Sequence, residues 1–507
     1  MELKFNDDNT PNAGKFITSL RKVGYDNYSA LMDIVDNSVD AGAGTVEISV
    51  YHRNKEVEFL IVDDGSGMES ETLNQALRLG SDTEKMSGSL GKFGMGLSTA
   101  SLSLCRRTAV YSKPENENQW HVGVIDTDEI VAKNRFVRAF GLVDSREVAG
   151  VLKEGNIALK LAHGTVVHLS LCDQVQNSNT TVFATILKGR LGQTYRQFIE
   201  NGLKLVVNGS AVVAEDPLFR KTKGTEMWID DWFDIETPGG KEKVILRVAL
   251  IPDFGAAGNK GYGINIPNQG VYVLRNNREI AAGWWPFSER KHGDFNRFRA
   301  EIIFSTDLDD VMGVNFSKRG IEPTQSAVDQ IKRVLEPQLT GVRQRAKKAQ
   351  QATGEDIKVS HTEAEKQISG KAALLAKPTS TKIKGDEKES KEKSKHPDVD
   401  KKPKEPRHPG TPGPICRFEH RHMTAAGVLF EPYQEGRVTV IAWNVDHPFY
   451  ERFLSDYAGE RAIISAVDFL IYSFAVAELR EASDEDKLQL LINLRSVLSS
   501  NLRILLS

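Results

Sequence analysis

The chain has 507 residues, a net charge of −3 and 40% hydrophobic residues. Its length suggests about three domains, each able to bury its own core, and its balanced charge gives no whole-chain argument for a nucleic-acid partner. The three cysteines, Cys105, Cys172 and Cys416, lie too far apart in sequence to indicate a disulfide framework or a CxxC metal site.

The amino-terminal stretch, MELKFNDDNT, lacks the basic start and apolar core of a secretory signal. The longest apolar stretch, Ala462 to Ala477, is interrupted by Asp468 and is short for a membrane span, so it predicts a buried helix. We therefore expect a cytoplasmic protein without a membrane partner.

Residues 28–41, YSALMDIVDNSVDA, predict a helix with sharply divided faces. At about 100° per residue, one side carries Asp33, Asp36, Asn37 and Asp40, and the other carries Leu31, Ile34, Val35 and Ser38. An ordinary surface helix shows the same division, so this segment alone does not identify a site.

The next element is an alternating strand, EVEFLIV, which ends in the run DDGSGM over residues 63–68. Glycines at this spacing let the backbone approach a ligand, and a carboxylate at a strand end can accept a hydrogen bond from an amino group such as that of adenine. Asp-Gly turns are common in proteins, so this run is also unspecific by itself.

A glycine-rich segment over residues 88–101, GSLGKFGMGLSTAS, leads into a predicted helix. Free N–H groups and the dipole at a helix amino terminus favour anions, so this segment is a candidate phosphate site. It is not a Walker loop, which needs GxxxxGKS or GxxxxGKT, and it lacks the preceding strand of the Rossmann fingerprint. Farther along, residues 163–167, HGTVV, open a β-branched strand on which Thr165 can supply a hydroxyl.

Four segments, DIVDNSVDAGA, DDGSGM, GKFGMGLSTAS and GTVV, occur in the order and approximate spacing of the motifs of the gyrase, heat-shock chaperone, histidine kinase and MutL (GHKL) ATPase superfamily. The resemblance covers residues 30–170 and implies the Bergerat fold, an α/β sandwich that holds ATP under a mobile lid. The expected fold class is therefore α/β, and the expected cofactors are ATP and Mg²⁺.

The resemblance also implies which residues contact the nucleotide. Asn37 would bind the Mg²⁺ that bridges the phosphates. Asp63 would contact the adenine, helped by Gly67 and Thr165, and residues 80–94 would form the lid. The other cofactor-binding residues implied are Gly65, Met68, Lys85, Gly91, Lys92, Phe93, Gly94, Met95 and Gly96.

Asp33 occupies the position of the general base, where members of the superfamily normally carry glutamate. Its carboxylate sits about one methylene farther back, so its reach to the attacking water is shorter and we expect slow turnover. Asp36 matches a position that varies among relatives and is not expected to replace it.

Residues 228–316 are rich in strand patterns and predict a second domain, which a helix over residues 324–351 follows. The run QGVYVLRNNREIAAGWW is similar to the ribosomal-protein-like transducer domain of MORC ATPases, with Asn276, Asn277 and Arg278 in a hairpin turn. Residues 313–320, GVNFSKRG, resemble the switch loop that delivers a cation to the terminal phosphate, and Lys318 is the expected catalytic residue. An exposed basic turn is the alternative.

Between residues 353 and 414 the composition changes to Lys, Glu, Ser and Pro, which predicts a disordered linker with too little apolar surface to fold. Over residues 341–410 we count 18 basic and 11 acidic residues, an excess of 7 positive charges that suits a solvated tether or weak contact with DNA. Cys416, His420 and His422 lack a fourth ligand, so they are interpreted as solvated residues.

The expected domains are an ATP-binding domain over residues 1–210, a transducer with its exit helix over 211–352, the linker over 353–414, and a small α/β domain over 415–507. The last domain is expected to dimerise through an apolar helix face that carries Leu488, Leu490, Leu491 and Leu494.

These features lead to one hypothesis, a slow MORC-like ATPase that acts as an ATP-gated homodimeric clamp. By resemblance to MORC and MutL, its client would be DNA, with a role in genome maintenance or defence against foreign DNA. Two alternatives stay open. One is a chaperone-like or signalling clamp on a protein client, and the other is an ATP-sensing scaffold with little turnover.

Overall fold

The computed structural model describes residues 11–22, 26–79, 90, 96–288, 290–314, 320–350, 359–378, 415–482 and 484–506. The chain divides into two compact units. The first comprises Met1–Asp216 together with Arg275–Glu279, and the second comprises Pro217–Leu274 together with Ile280–Ser507.

The first unit is built on an eight-stranded mixed sheet. Its strands are β1 (Thr45–Arg53), β2 (Glu56–Asp63), β3 (Arg107–Lys113), β4 (Trp120–Asp126), β5 (Ala139–Val143), β6 (Gly164–Cys172), β7 (Lys204–Val207) and β8 (Ser210–Ala211). They lie in the order β5-β4-β3-β6-β2-β1-β7-β8, and every neighbouring pair is antiparallel except the parallel pair β1 and β7.

Eight described helices accompany this sheet. They are α1 (Ala13–Leu20), α2 (Asn27–Asp40), α3 (Ser70–Ala76), α4 (Gly96–Leu102), α5 (Thr127–Lys133), α6 (Ser145–Glu154), α7 (Thr180–Thr194) and α8 (Arg196–Glu200). The Asp26 side chain caps α2 by accepting a hydrogen bond from the amide of Tyr28, and the apolar residues Leu31, Ile34 and Val35 lie in the core. The register of the sheet pairs Asp63, the last residue of β2, with Thr165 near the start of β6.

The second unit contains a five-stranded sheet in the order β12-β11-β13-β10-β9. Its strands are β9 (Glu226–Thr237), β10 (Gly240–Leu250), β11 (Gly270–Arg275), β12 (Arg278–Gly283) and β13 (Phe298–Phe304). The last residue of β11 and the first two residues of β12 belong to the first unit. Its helices are α9 (Gly255–Gly261), α10 (Gln325–Gln350) and single 3₁₀ turns at Gly293–Phe295 and Thr306–Leu308. Apolar residues of α10, including Ile331 and Leu335, belong to the same core as Phe233 and Ile302 of the sheet.

A second, three-stranded sheet lies in the carboxyl-terminal part of this unit. It has the order β14-β16-β15 and is formed by β14 (Cys416–Arg421), β15 (Phe430–Glu435) and β16 (Val438–Asn444). The helices around it are α11 (Thr362–Gly370), a π-helical turn at Phe449–Leu454, α12 (Arg461–Arg480) and α13 (Glu485–Leu506). The α/β fold class predicted from the sequence is confirmed.

Helix α10 packs against this small sheet within the second unit. The Gln338 side chain donates to the carbonyl of Gly436 and accepts from its amide, at 3.3 and 2.8 Å. A Cβ at Gly341 would lie 2.1 Å from the carbonyl oxygen of Gln434, so the glycine permits this close approach.

The prediction of a disordered linker is wrong for residues 359–378. They include α11, whose Ala364 and Ile368 are buried in the carboxyl-terminal core. The buried side chain of His361, just before α11, bonds to Asp468 of α12 at 2.9 Å. A few apolar residues and one buried polar contact thus hold a segment whose average composition predicted disorder. Residues 353–358 and 379–414 lie outside the described residues, and the domain boundaries stay a prediction.

Helix α12 covers the apolar stretch noted in the sequence. Among the described residues it is the one helix that is long and apolar enough to cross a membrane. Half of its most apolar 18-residue stretch is buried inside the protein. Core helices of soluble proteins have the same length and composition, so α12 gives no sign of a membrane.

Candidate functional site

Helix α2 brings buried carboxylates into the interior of the first unit. Asp33 is 6% exposed and Asp36 is fully buried. Asn37 is half-buried, and its Nδ2 donates to the carbonyl oxygen of Asp33 at 3.2 Å. This bond leaves Oδ1 of Asn37 as the side chain's acceptor. Two residues of the predicted polar face, Asp33 and Asp36, are thus removed from water, whereas Asp40 is exposed.

Asp63 lies at the end of β2, against helix α2. It is 4% exposed, and its two carboxylate oxygens accept hydrogen bonds from the hydroxyl of Ser38 at 2.8 Å and from the amide of Gly65 at 3.0 Å. Burial raises the pKa of Asp63 above its ordinary value, although both hydrogen bonds act in the opposite direction. The carboxylate is therefore held in one orientation by α2 and by the loop after β2.

Glycines line the backbone next to Asp63. Gly67 has φ of +68°, and a Cβ on it would lie 2.2 Å from the carbonyl oxygen of Lys113. Gly164 has φ of +121°, and its Cβ would lie 2.1 Å from the carbonyl oxygen of Asp63. Only glycine fits both positions without moving the neighbouring strand ends.

Two hydroxyls tie the strand ends together. The Oγ1 of Thr165 lies 2.9 Å from the Oγ of Ser112 on β3, and both residues are buried. The Ser112 hydroxyl accepts from the amide of Met68 at 2.8 Å and donates to the carbonyl of Gly164 at 3.2 Å. The structure therefore brings Met68 and Thr165 together, along with Asp63, Gly65 and Gly67.

An arginine lies beside the carboxylates of α2. Nε of Arg278 donates to Oδ1 of Asp36 at 2.7 Å, and Nη2 lies 3.5 Å from Oδ1 of Asp33. The hydroxyl of Tyr195 donates to Asp36 at 2.7 Å. Burial opposes the charge of Arg278, but the neighbouring Asp36 and Asp33 outweigh it and raise the arginine's pKa. Burial and Asp36 likewise raise the pKa of Tyr195.

Sequence reasoning missed four of these residues, namely Ser38, Ser112, Tyr195 and Arg278. The sequence placed Ser38 on the apolar face of its helix and Arg278 in a hairpin turn, and it gave Asp36 no role. One signal was present, because Arg278 lies among charged and polar residues that interrupt an otherwise apolar run. The partner of that arginine could not be predicted, since it is 242 residues away.

Several predicted site residues lie outside the described part of the chain. They are Lys85, Gly91, Lys92, Phe93, Gly94, Met95 and Lys318. Gly96 begins α4, which packs against α2, and among the described residues no atom outside its own helix lies within 4 Å of the position that its Cβ would take. Within the predicted lid, Leu90 is described. Its amide donates to Oδ1 of Asp40 on α2 at 2.8 Å.

The oxygen atoms around Asn37 suit a Mg²⁺ ion that binds together with a nucleotide. Among the described residues, no group of three or more His, Cys, Asp or Glu side chains could hold a metal ion. Asn37 offers a neutral oxygen beside the two carboxylates. Mg²⁺ prefers oxygen ligands and often takes only one or two from the protein, the rest coming from phosphates and water.

Residues 25–144 match the family model of histidine kinase-, DNA gyrase B- and HSP90-like ATPases. The matched span includes α2, the loop after β2 and α4. The match supports a GHKL-type ATPase domain in the first unit and, with it, ATP binding. The chain has no match among curated proteins.

Proposed function

We propose that the protein binds and hydrolyses Mg²⁺-ATP and works as a MORC-like, ATP-gated homodimeric clamp. The observation that carries the proposal is the pairing of a fixed carboxylate at one end of the site, Asp63, with a second buried carboxylate, Asp33, one helical turn before Asn37. A carboxylate for the adenine and a candidate base, on two elements joined by the Ser38–Asp63 hydrogen bond, suit the binding of a nucleotide.

In this proposal Asp63 accepts a hydrogen bond from the adenine amino group, and the glycines at positions 65 and 67 let the base approach the backbone. Asn37 holds Mg²⁺, which neutralises charge on the phosphates when bound. Asp33 orients the attacking water and accepts its proton. Lys318 stays the predicted cation for the terminal phosphate.

The proposed dimer contact lies on α13. Leu490, Leu494 and Val497 are 68%, 48% and 57% exposed, and their spacing of four and three residues places them on one helix face. Leu488 and Leu491 are half-buried beside them. A row of large apolar side chains in water favours burial against another apolar face, and a second copy offers an identical one.

DNA is the proposed client, because residues 341–410 carry an excess of 7 positive charges. A role in genome maintenance or in defence against foreign DNA, in the cytoplasm, would follow. A protein client is the second candidate. DNA retention should weaken steeply with salt because each phosphate contact releases counterions.

Hydrolysis is tested by single-turnover assays on the purified chain with Mg²⁺-ATP, with and without duplex DNA. We expect slow hydrolysis in the wild type and no Mg²⁺-dependent ATP binding in Asn37→Ala. Binding without hydrolysis would favour the ATP-sensing scaffold. Unchanged ATP affinity in a folded Asn37→Ala variant would reject the site.

The clamp is tested by sedimentation of the full chain. The wild type is expected to be a dimer, and Leu490→Asp with Leu494→Asp should yield monomers without nucleotide. Gln489→Asp adds a charge to an exposed polar position of the same helix and should leave the dimer intact. If the leucine variant stays dimeric, the constitutive contact lies elsewhere.

A further inference from the structure

The short segment Arg275–Glu279 belongs to the first unit although it follows that unit's main part by many residues. Its two asparagines, Asn276 and Asn277, have φ of +45° and +70°, a conformation that asparagine tolerates better than most residues. The charged side chains on either side of this turn point to three different parts of the unit.

Three contacts fix the segment. Arg275 donates through Nη1 to the carbonyl of Leu90 at 3.1 Å. The carboxylate of Glu279 accepts from Gln193 at 2.5 Å and forms an ion pair with Arg196, which is fully buried. Arg278, between these anchors, is 5% exposed. A side chain held from both sides has few alternative positions, so its guanidinium is pre-organised.

Arg278 divides its contacts unequally between two carboxylates. Its short bond, 2.7 Å, goes to Asp36, which also accepts from Tyr195. Its distance to Asp33 is 3.5 Å, at the outer edge of a hydrogen bond. Asp36 therefore anchors the arginine, and Asp33 lies within reach of the same guanidinium.

Helix α4 packs against α2 and has no titratable residue from Gly96 to Leu102. The charged or titratable groups of the described residues that act on Asp33 include Arg278, Asp36 and Tyr195. Two buried carboxylates on one helix repel each other, and the arginine offsets this repulsion.

We infer that Arg278 is a positioning residue for ATP hydrolysis, holding Asp33 in place while Asp36 and Tyr195 hold Arg278. The inference rests on the proposed function, because it assigns Asp33 the role of base. It makes Asp36 part of the support for that base. Asp36 need not touch the water itself.

The test is a double-mutant cycle in single-turnover hydrolysis. Arg278→Gln should slow hydrolysis about 10- to 100-fold and change ATP affinity less than about threefold, because the residue acts on the base. Arg278→Lys keeps the charge without the planar fork and should recover part of the rate. Arg53→Gln removes the same charge from an exposed ion pair with Glu154 in the same unit, and should hydrolyse at nearly the wild-type rate.

The decisive comparison uses Asp33→Ala as background. If Arg278 acts through Asp33, adding Arg278→Gln to Asp33→Ala slows hydrolysis no further. A second, multiplicative loss would overturn the inference, since it would reveal a separate role in binding or folding. A loss of ATP affinity in Arg278→Gln as large as its loss of hydrolysis rate would overturn the inference as well.

The two proposals fail in different ways. A wild type that binds Mg²⁺-ATP without turnover overturns hydrolysis and this inference together. A wild type that hydrolyses ATP, with additive effects of Asp33 and Arg278, overturns the inference alone. If Arg278→Gln does not fold, Arg278→Lys takes its place in the same double-mutant cycle. It should lower the hydrolysis rate less in the wild-type background and not at all in the Asp33→Ala background.

Discussion

Replacing Asp63 with asparagine probes how the site distinguishes adenine from other bases. In the structure both carboxylate oxygens already accept one hydrogen bond, from Ser38 at 2.8 Å and from Gly65 at 3.0 Å. The amide of asparagine keeps one acceptor and presents an NH₂ donor in place of the other. The hydroxyl of Ser38 can rotate to accept from this donor, so the fold should survive.

The substitution should instead weaken nucleotide binding. Losing a hydrogen bond to a charged acceptor is worth about 1.5–3 kcal/mol, which corresponds to roughly 10- to 150-fold weaker ATP binding. Inosine triphosphate carries a carbonyl oxygen where ATP carries the amino group, so an NH₂ donor suits it better. We expect Asp63→Asn to lose ATP affinity and to narrow or reverse the preference for ATP over inosine triphosphate.

Titration calorimetry with both nucleotides, at one Mg²⁺ concentration, measures this preference. Asp64→Asn is the matched control, because Asp64 accepts from the amides of Gly44 and Thr45 at 2.8 Å each and has no assigned contact with the base. An unchanged ratio of the two affinities in Asp63→Asn would refute the assignment of Asp63 to adenine.

The raised pKa of Asp63 adds a pH dependence with a definite sign. Burial favours the protonated carboxyl, which presents an O–H donor toward the adenine amino group. ATP affinity should therefore fall on acidification, beginning at a pH above the ordinary aspartate pKa, and binding in that range should release a proton. Asp63→Asn should remove this dependence.

Three further perturbations test other parts of the structure. Asp33→Ala should keep ATP bound and slow hydrolysis, whereas Asp33→Glu, with one more methylene, should raise the single-turnover rate; wild-type turnover in Asp33→Ala would exclude this residue as the base. Gly67→Ala should weaken ATP binding about tenfold or more, because its Cβ would lie 2.2 Å from the carbonyl of Lys113 at a φ of +68°; unchanged calorimetric affinity would show that the loop adapts. Burial and the neighbouring His361 lower the pKa of His420 to about 4. As the pH falls from 6.5 to 4, this histidine is therefore protonated in the unfolded chain before it is protonated in the folded protein. The free energy of unfolding should fall by about 1–2 kcal/mol over that range, allowing for the partial exposure of the residue to water. Denaturant unfolding of the wild type and His420→Gln measures this loss, which should shrink in the variant.

The sequence by itself determined the features that depend on neighbouring residues. The α/β class followed from alternating helical and strand patterns. The glycines after β2 follow from backbone conformations that other residues adopt with strain, as at Gly67. Asp63 and Asn37 were proposed because their motifs are short and ordered along the chain. The predicted lid residues and Lys318 lie outside the described residues and stay predictions.

The tertiary structure decided which side chains meet. Sheet register, set by the packing of whole strands, places Thr165 beside Ser112, and helix packing turns Ser38 toward Asp63. Arg278 reaches Asp36 across 242 residues of sequence, and periodicity carries no information about such a pair. A buried charge needs a partner, but only the packed fold fixes which residue supplies it, because burial and opposite charge must coincide in space.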